Sequence, residues 1–435
     1  MIRWRLSLLV TAAIGWLAVN SFAQGEKFER DAVSVPATSI EDSGDVGMRA
    51  HTNHLIRIPS KPTKSPAQAT GAPPAGESPS SLACVYQTVT GSPSGCPTNP
   101  PYINPTGGSG VIVLVDAYDY PSAYNDLTVF SNQFGLPVLN NCTGTKLTAS
   151  STNCFQVVYA SGRRPQANCG WAQESSLDIE WAHAMAPHAN IVLVESANNG
   201  FSSLFGAVQT AGNIAHTFAS AGLPGHVSMS WGGSEFSFES LYDQYMNSSG
   251  VAYFAAAGDS GGRTIYPAVS PNVIAAGGTT VNRSGGIFIG ESAWSSGGGG
   301  PSAYEAVPAY QSGVTYQGTP LPSRGTPDFS FDADPNSGIA VYDSFSCQGY
   351  VGWLVFGGTS VASPSLAGIV NSADHKLGTA ASSSHAEQLY IYQTYGSASY
   401  SSDFRDITSG SNGYSATTGW DFATGVGSNL GLLGK

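Results

Sequence analysis

A serine that follows a glycine-rich turn is the first residue in this sequence whose setting suggests chemistry. Ser360 stands in the run FGGTSVASP at 356–364, which predicts a helix that begins beside this serine. The free N–H groups of a helix N-terminus stabilise the oxyanion that forms when a serine attacks a carbonyl carbon. The alternative is that Ser360 or Thr359 only caps the helix. A nucleophilic role therefore depends on a base elsewhere in the chain.

Two carboxylates are the best candidates for that base. Glu174 and Asp178 are four residues apart in a predicted helix, which places them on one face, about one turn apart. Two carboxylates this close resist simultaneous ionisation, so one pKa rises and the pair suits general base catalysis at acid pH. The alternative is a solvated acidic face, as expected for Glu180. None of the histidines, His183 included, stands in the His-Gly-Thr context of a subtilisin-type base.

A third carboxyl, that of Asp259, follows an apolar strand in the run AAGDSGG at 256–262. Sites in α/β proteins lie at the ends of the strands. A protonated Asp259 would donate a hydrogen bond to an oxyanion, which again requires low pH. As an isolated motif, an aspartate in this setting more often only forms a turn.

Taken together, these motifs resemble the sedolisin family of serine-carboxyl peptidases, which are relatives of subtilisin. The resemblance covers about residues 80–435 in the same order and includes SMSWGGSE at 228–235 and TPDFSFDADPNSGIAVYD at 326–343. It implies hydrolysis of proteins or peptides by four catalytic residues: the nucleophile Ser360, the general base and acid Glu174, its orienting partner Asp178, and the oxyanion-hole residue Asp259.

The same resemblance implies two binding sites. The backbones of two strands are expected to flank and pair with the substrate, through Ser230, Trp231, Gly232 and Gly258. One calcium ion is expected in a C-terminal loop, because oxygen-only ligands suit a hard cation; the implied ligands are Asp406, Ile407, Thr417, Gly419 and Asp421. The alternative for this loop is a set of Asx turns in a glycine-rich tail.

The elements that must position these residues are those of an α/β domain. From about Gly108, apolar runs bounded by Gly and Pro alternate with helical periods, which indicates a mostly parallel sheet with helices on both faces. After the helix predicted at 357–376, only loop-like sequence is expected. With the resemblance, we expect a subtilisin-like three-layer fold in one catalytic domain, residues 78–435, which ends in the calcium-binding loop.

The N-terminus predicts export. Arg3 and Arg5 precede an apolar run that ends in small residues, so a signal peptide over 1–23 is expected. The apolar run is too short for a membrane anchor. Residues 24–77 become rich in Pro, Ala, Ser and Thr, and we interpret them as a pro-segment or a disordered linker.

Six cysteines in an exported chain predict three disulfides. Six cysteines allow many connectivities, and short spacings favour two of the pairs, which leaves a third over long range. The two favoured pairs are Cys84–Cys96 and Cys142–Cys154, and the remaining pair is Cys169–Cys347.

Composition narrows the function classes. Of the 435 residues only 11% are charged, against a usual share of about 25%, and the net charge is −12. This charge excludes a surface whose main role is to bind phosphate, so nucleic acid is not expected as the main partner. We expect a monomer, periplasmic or extracellular, with no membrane contact after signal removal. Two alternatives stay open: a neutral subtilisin-like protease that uses Asp116, a histidine and Ser360, and a secreted binding module of the same fold without catalysis.

Overall fold

The computed structural model describes residues 32–58, 74–98, 103–374 and 383–435, so the predicted signal peptide lies outside the described residues. None of the helices in these ranges has the length and apolar content to cross a bilayer. The described α-helices are α1 (Pro79–Val85), α2 (Ala123–Phe134), α3 (Cys169–Met185), α4 (Phe201–Ala219), α5 (Thr359–Asp374), α6 (Ser384–Tyr395) and α7 (Tyr400–Asp403). Short 3-10 helices lie at Ala37–Ser39, Glu239–Met246 and Ala309–Gln311.

The strands share no common length, and many are short pairs at the rim of the molecule. In chain order they are β1 (Ala32–Ser34), β2 (His51–Thr52), β3 (Leu55–Ile58), β4 (Val111–Ala117), β5 (Asn140–Asn141), β6 (Cys154–Tyr159), β7 (Asn190–Ser196), β8 (Gly225–Met229), β9 (Trp231–Ser234), β10 (Ala252–Ala256), β11 (Ile265–Tyr266), β12 (Ile274–Ser284), β13 (Ile287–Ala293), β14 (Gly300–Pro301), β15 (Thr315–Tyr316), β16 (Thr319–Pro320), β17 (Gly325–Thr326), β18 (Phe329–Asp332), β19 (Ile339–Cys347), β20 (Tyr350–Gly357), β21 (Phe404–Arg405) and β22 (Ser428–Asn429).

A mostly parallel sheet forms the middle of the molecule. Its strand order is β21-β22-β18-β12-β10-β8-β4-β7-β6-β5, with β13 paired to β12 beside this path. Each neighbouring pair on the path is parallel except β21 with β22. The carboxyl ends of β4, β8 and β10 therefore meet at one edge of the sheet, which is where sites form in such folds.

Helices cover both faces of this sheet, and β4 shows why. Its residues alternate between two buried clusters: Ile112 and Leu114 face α3 and α5, whereas Val113 and Val115 face α4. Because both faces are buried, the strand reads as a continuous apolar run. The predicted three-layer α/β fold with a mostly parallel sheet is confirmed.

Helices α3 and α5 pack against each other unusually closely. A Cβ placed on Gly368 of α5 would lie 2.7 Å from the Cβ of Met185 at the end of α3. Small residues along α5 therefore let the two helices that carry the candidate catalytic residues approach each other.

The sequence after α5 does not remain a loop. Helices α6 and α7 and strands β21 and β22 lie there, so the expectation of loop-like sequence is wrong. The side chain of Ser383 caps α6 by accepting from the N–H of Ala386. The buried face of α6 carries polar groups, since Gln388 and Tyr392 both bond to the carboxylate of Asp328. A helix that buries polar side chains lacks the apolar period on which the prediction relied.

Residues 32–58, here called the N-terminal arm, lie against the body of the domain in strands. β1 pairs with β3 and β3 with β20 in a four-stranded sheet, while β2 pairs with β9. This stretch belongs to the segment 24–77 that the sequence predicts as a pro-segment or linker. The arm is ordered along the body instead of forming a free linker, and its role as a pro-segment stays a prediction.

The three predicted disulfides are all formed, with sulfur–sulfur distances of bonded pairs. Two close short loops, Cys84–Cys96 and Cys142–Cys154. The third, Cys169–Cys347, joins the first residue of α3 to the last residue of β19. It ties the helix of the carboxylate pair to a distant hairpin.

Candidate active site

Ser360 is the second residue of α5 and is fully buried. Its hydroxyl donates to the backbone oxygen of Ser230 at 3.1 Å. Pro364 has no N–H to offer the carbonyl of Ser360, one helical turn back, and the Ser230 hydroxyl donates to that carbonyl at 3.4 Å. Ser230 therefore holds the serine through two contacts. The serine hydroxyl is bonded to a backbone carbonyl here and not to the predicted base.

The two predicted carboxylates lie on α3, as expected, and both are fully buried. Oδ1 of Asp178 accepts from the Ser230 hydroxyl at 2.6 Å, so Ser230 links Asp178 to the serine. Oε2 of Glu174 lies 2.8 Å from Nδ1 of His54 and accepts from the N–H of Asn53 at 3.2 Å. Oε1 of Glu174 has no hydrogen-bond partner among the described residues, which leaves one oxygen available to a proton.

A third buried carboxyl, that of Asp116 near the end of β4, joins this pair. Burial and then the charge of Glu174 raise the pKa of Asp116 well above its usual range. Burial, followed by the carboxyls of Asp116 and Glu174, likewise raises the pKa of Asp178. The sequence pointed to Asp116 only within the neutral-protease alternative. In the structure, it is a neighbour that discourages ionisation of Asp178.

Asp259 follows β10 and faces the start of α5. Its Oδ1 accepts from the N–H of Thr359 at 2.8 Å and from the Thr359 hydroxyl at 2.9 Å. Its Oδ2 is buried and has no hydrogen-bond partner among the described residues. Burial raises the pKa of Asp259 to about 8, against the lowering effect of the Thr359 hydrogen bonds. Because Oδ1 only accepts, a proton on this carboxyl belongs on Oδ2, where it is free to be donated.

Two polar residues of α3 near the carboxylate pair, Glu180 and His183, are fully buried. Glu180 is not solvated: it is fully buried and accepts from the N–H of Tyr342 at 3.0 Å. The reason is that α3 is packed on every side, which a polar residue in the sequence does not reveal. His183 is a structural histidine whose ring bonds to the carbonyl of Pro137, and burial lowers its pKa to about 4.

His54 is the site residue that the sequence reasoning missed. It appeared only as one histidine of eight, in a segment expected to be unstructured. The structure buries it fully against Glu174. Since no local pattern marks this contact across 120 residues, only the path of the N-terminal arm reveals it.

The predicted substrate strand is already paired. β9, with Trp231 and Gly232, runs antiparallel to β2, and the carbonyl of Ser230 accepts from the N–H of Asn53 at 3.2 Å. These backbone groups therefore pair with the N-terminal arm in this structure, and their pairing with a substrate stays a prediction. The backbone groups of Gly258 are instead bonded within the domain, because its N–H donates to the Thr359 hydroxyl and its carbonyl accepts from the N–H of Gly298.

The predicted calcium ligands converge on one loop. The N–H of Gly419 lies 3.1 Å from both carboxylate oxygens of Asp406, and the N–H of Thr417 donates to Oδ2 of Asp421 at 2.8 Å. Ile407 follows Asp406 and packs in a small apolar cluster there. Among the described residues there is no group of three or more metal-ligating side chains, so a cation here would depend on backbone carbonyls. In this structure the oxygens of both carboxylates accept from backbone N–H groups of the loop, as the alternative of Asx turns describes, and the calcium site stays a prediction.

Comparison with known proteins finds relatives in the family that the sequence motifs resemble. No protein-family model matches the sequence. The chain is similar to kumamolisin of Bacillus sp. (strain MN-32), with 32% identity over 292 residues, which is 60% of this chain and 49% of kumamolisin. It is also similar to sedolisin of Pseudomonas sp. (strain 101), with 39% identity over 183 residues, which is 38% of this chain and 28% of sedolisin. The chain thus spans about half or less of the length of these curated relatives.

A solved structure of Pseudomonas sedolisin, a serine-carboxyl proteinase complexed with two molecules of pseudo-iodotyrostatin, is similar in fold. The match has a TM-score of 0.59 and 24% identity, and it covers 82% of this chain and 96% of the solved chain. At this level of identity the match speaks for the architecture, and it agrees with the predicted fold class.

Proposed function

We propose that the chain is a member of the sedolisin family of serine-carboxyl peptidases, which its similarity to kumamolisin and sedolisin supports, and that it is a secreted, acid-active endopeptidase that hydrolyses proteins through an acyl-enzyme on Ser360. The observation that carries the proposal is the convergence of this serine, the buried Glu174–Asp178 pair and the Asp259 carboxyl at one edge of the sheet.

The chemistry assigns a step to each group. The Ser360 hydroxyl attacks the substrate carbonyl, and Glu174 accepts its proton and later passes it to the leaving amine. For this, the hydroxyl must turn from the Ser230 carbonyl, and Glu174 must exchange its contacts with the arm for contacts with substrate. Asp178, held by the Ser230 hydroxyl, orients and tunes Glu174. The N–H of Ser360 and a protonated Asp259 stabilise the oxyanion.

Acid activity follows from the Asp259 carboxyl. Only its protonated form donates to an oxyanion, and its ionised form repels one. Burial raises its pKa to about 8 while the arm covers the site. Removal of the arm would expose the carboxyl to water and move its pKa down toward the ordinary value. The uncovered enzyme is therefore expected to need more acid conditions than the covered site suggests.

Hydrolysis of a denatured protein between about pH 2 and pH 8 tests the proposal. We expect Ser360→Ala to abolish turnover and Glu174→Gln to reduce it by several orders of magnitude. Ser365→Ala, which lies further along α5 and is also buried, is the matched control and should stay active. Substantial turnover in Ser360→Ala would refute the assignment. Specific binding of peptides with no turnover at any pH would instead favour the binding-module alternative.

We also propose that one calcium ion binds the C-terminal loop of residues 406–421. The carboxylates of Asp406 and Asp421 would supply the charge, and backbone carbonyls of Ile407, Thr417 and Gly419 the remaining ligands. The ion would stabilise the fold without taking part in the reaction. Isothermal titration with Ca²⁺ should give one site in the wild type and none in Asp406→Asn.

A further inference from the structure

Strand β9 extends further than the N-terminal arm follows it. One edge of β9 pairs with β11, where Ile265 lies opposite Ser234, and the other edge pairs with β2 of the arm. After His51 the arm turns away, because the N–H of Ala50 donates to the carbonyl of Asn199 and not to β9. Ser234 is the last residue of β9, and no residue of the arm, which is described throughout 32–58, pairs with it as a strand.

A carboxylate takes the place of the missing strand at Ser234. Oε1 of Glu41 accepts from the N–H of Ser234 at 2.9 Å, and Oε2 of Glu41 accepts from the Ser234 hydroxyl at 2.5 Å. Nε2 of His51, which also belongs to the arm, lies 4.0 Å from Oε2 of Glu41. Hydrogen bonds to an ionised acceptor are stronger than those between neutral groups. The two donors of Ser234 are therefore placed to bind a carboxylate.

A cation faces the same space. A cleft of about 610 Å³ surrounds the contact between Glu41 and Ser234, and Arg263 lines it. The Arg263 side chain is exposed and forms no ion pair with the residues that the structure describes. Glu235 also lines the cleft, but its carboxylate already accepts from the hydroxyls of Thr264 and Ser302 on the opposite wall. Arg263 therefore remains available to an acidic group that enters the cleft.

The strand register gives the position of this site along a bound peptide. The carbonyl of Asn53 accepts from the N–H of Ser360 at 3.1 Å, so Asn53 marks the place of the residue before a cleaved bond. His51 pairs with Gly232. A peptide that stays on β9 would bring the residue two places before the His51 position opposite Ser234, and that residue is the fifth before the bond. Side chains directly opposite each other in an antiparallel pair are close enough to interact.

We propose that Ser234 and Arg263 form a carboxylate-binding subsite, which selects substrates with glutamate or aspartate as the fifth residue before the cleaved bond. This inference rests on the proposed peptidase function and names a substrate class for it. The side chain of the substrate residue accepts from the Ser234 hydroxyl, and its backbone carbonyl accepts from the Ser234 N–H. Arg263 supplies the opposite charge. In the structure described here, Glu41 of the arm occupies this subsite.

Two peptides that differ only at the fifth residue before the cleaved bond, with Glu in one and Gln in the other, test the subsite. The peptides are built around a bond that the full-length wild type cuts in a denatured protein, and mass spectrometry verifies that both are cut at that bond. We measure kcat/KM at about pH 5, where a glutamate side chain is mostly ionised. The wild type should favour the Glu peptide about tenfold, which is the discrimination that one hydrogen bond to a charged group provides.

Substitutions in the cleft assign the preference to its source. Ser234→Ala and Arg263→Gln should each bring the ratio of the two kcat/KM values down toward one. Ser260→Ala is the matched control, because Ser260 lines the same cleft and does not contact Glu41, and it should keep the ratio of the wild type. The ratio does not depend on the amount of folded enzyme, so a partly unfolded variant cannot imitate the loss.

The possible results separate this inference from the proposed function. Equal kcat/KM values for the two peptides in the wild type overturn the subsite and leave the proposed function standing. A preference for Glu that Ser234→Ala and Arg263→Gln both retain also overturns it, because other residues would then recognise the side chain. A wild type that hydrolyses neither a denatured protein nor any peptide refutes the proposed function itself.

Discussion

The Asp259 carboxyl provides the sharpest test of the oxyanion chemistry, through two substitutions that should behave differently. Asp259→Ala removes one donor, and loss of a single oxyanion donor costs about 10²–10³-fold in kcat, or about 3–4 kcal/mol. Asp259→Asn keeps a donor, because its amide nitrogen can take the place of Oδ2 while its oxygen still accepts from Thr359. We expect Asp259→Asn to lose much less activity than Asp259→Ala.

The pH profile separates this explanation from others. The pKa of Asp259 is raised to about 8 in the covered site, and above its pKa the protonated fraction of a carboxyl falls tenfold for each pH unit. An amide does not ionise, so the alkaline limb of kcat/KM should flatten in Asp259→Asn. The assay is hydrolysis of a chromogenic peptide from about pH 3 to pH 9. An alkaline limb unchanged from wild type would refute the reasoning and move the pH control to the Glu174–Asp178 pair.

Three further predictions concern stability. Burial raises the pKa of Glu195 to about 8 and of Glu239 to about 9. Because these folded-state pKa values lie above the unfolded ones, both groups destabilise the fold as the pH rises, and the free energy of unfolding should fall by at least about 2 kcal/mol between about pH 4.5 and pH 9. Urea titrations at a series of pH values measure this fall. Gly368→Ala should cost about 1–3 kcal/mol, since its Cβ would lie 2.7 Å from that of Met185; an unchanged Tm would contradict the close packing. Chelation of calcium should lower the Tm of the wild type and leave that of Asp406→Asn unchanged.

Much of the sheet, and the shared helix face of the two candidate carboxylates, can be predicted from the sequence. β4 appears as an apolar run because both of its faces are covered, and the spacing of Glu174 and Asp178 gives one helix face whatever surrounds it. These features depend on local periodicity, which a sequence displays directly.

Features that depend on the tertiary partner of a helix or strand cannot be predicted from local sequence. Glu180 is polar and yet buried, because its carboxylate meets the N–H of Tyr342 from β19. Helix α6 lacks an apolar period because its buried face binds Asp328 through polar side chains, so its sequence predicts a loop. In both cases, a tertiary partner satisfies a polar group, and periodicity carries no record of that partner.

The N-terminal arm is the strongest case of this kind. Its composition argues against independent folding, which is correct as far as it goes, because the arm forms strands only by pairing with β9 and β20. The order of the arm depends on contacts with the body, since β9 pairs with His51 and Thr52 while β20 pairs with residues 55–57. The composition of the arm therefore predicts that it cannot fold alone, whereas its position beside Ser360 follows from strand partners that lie far along the chain.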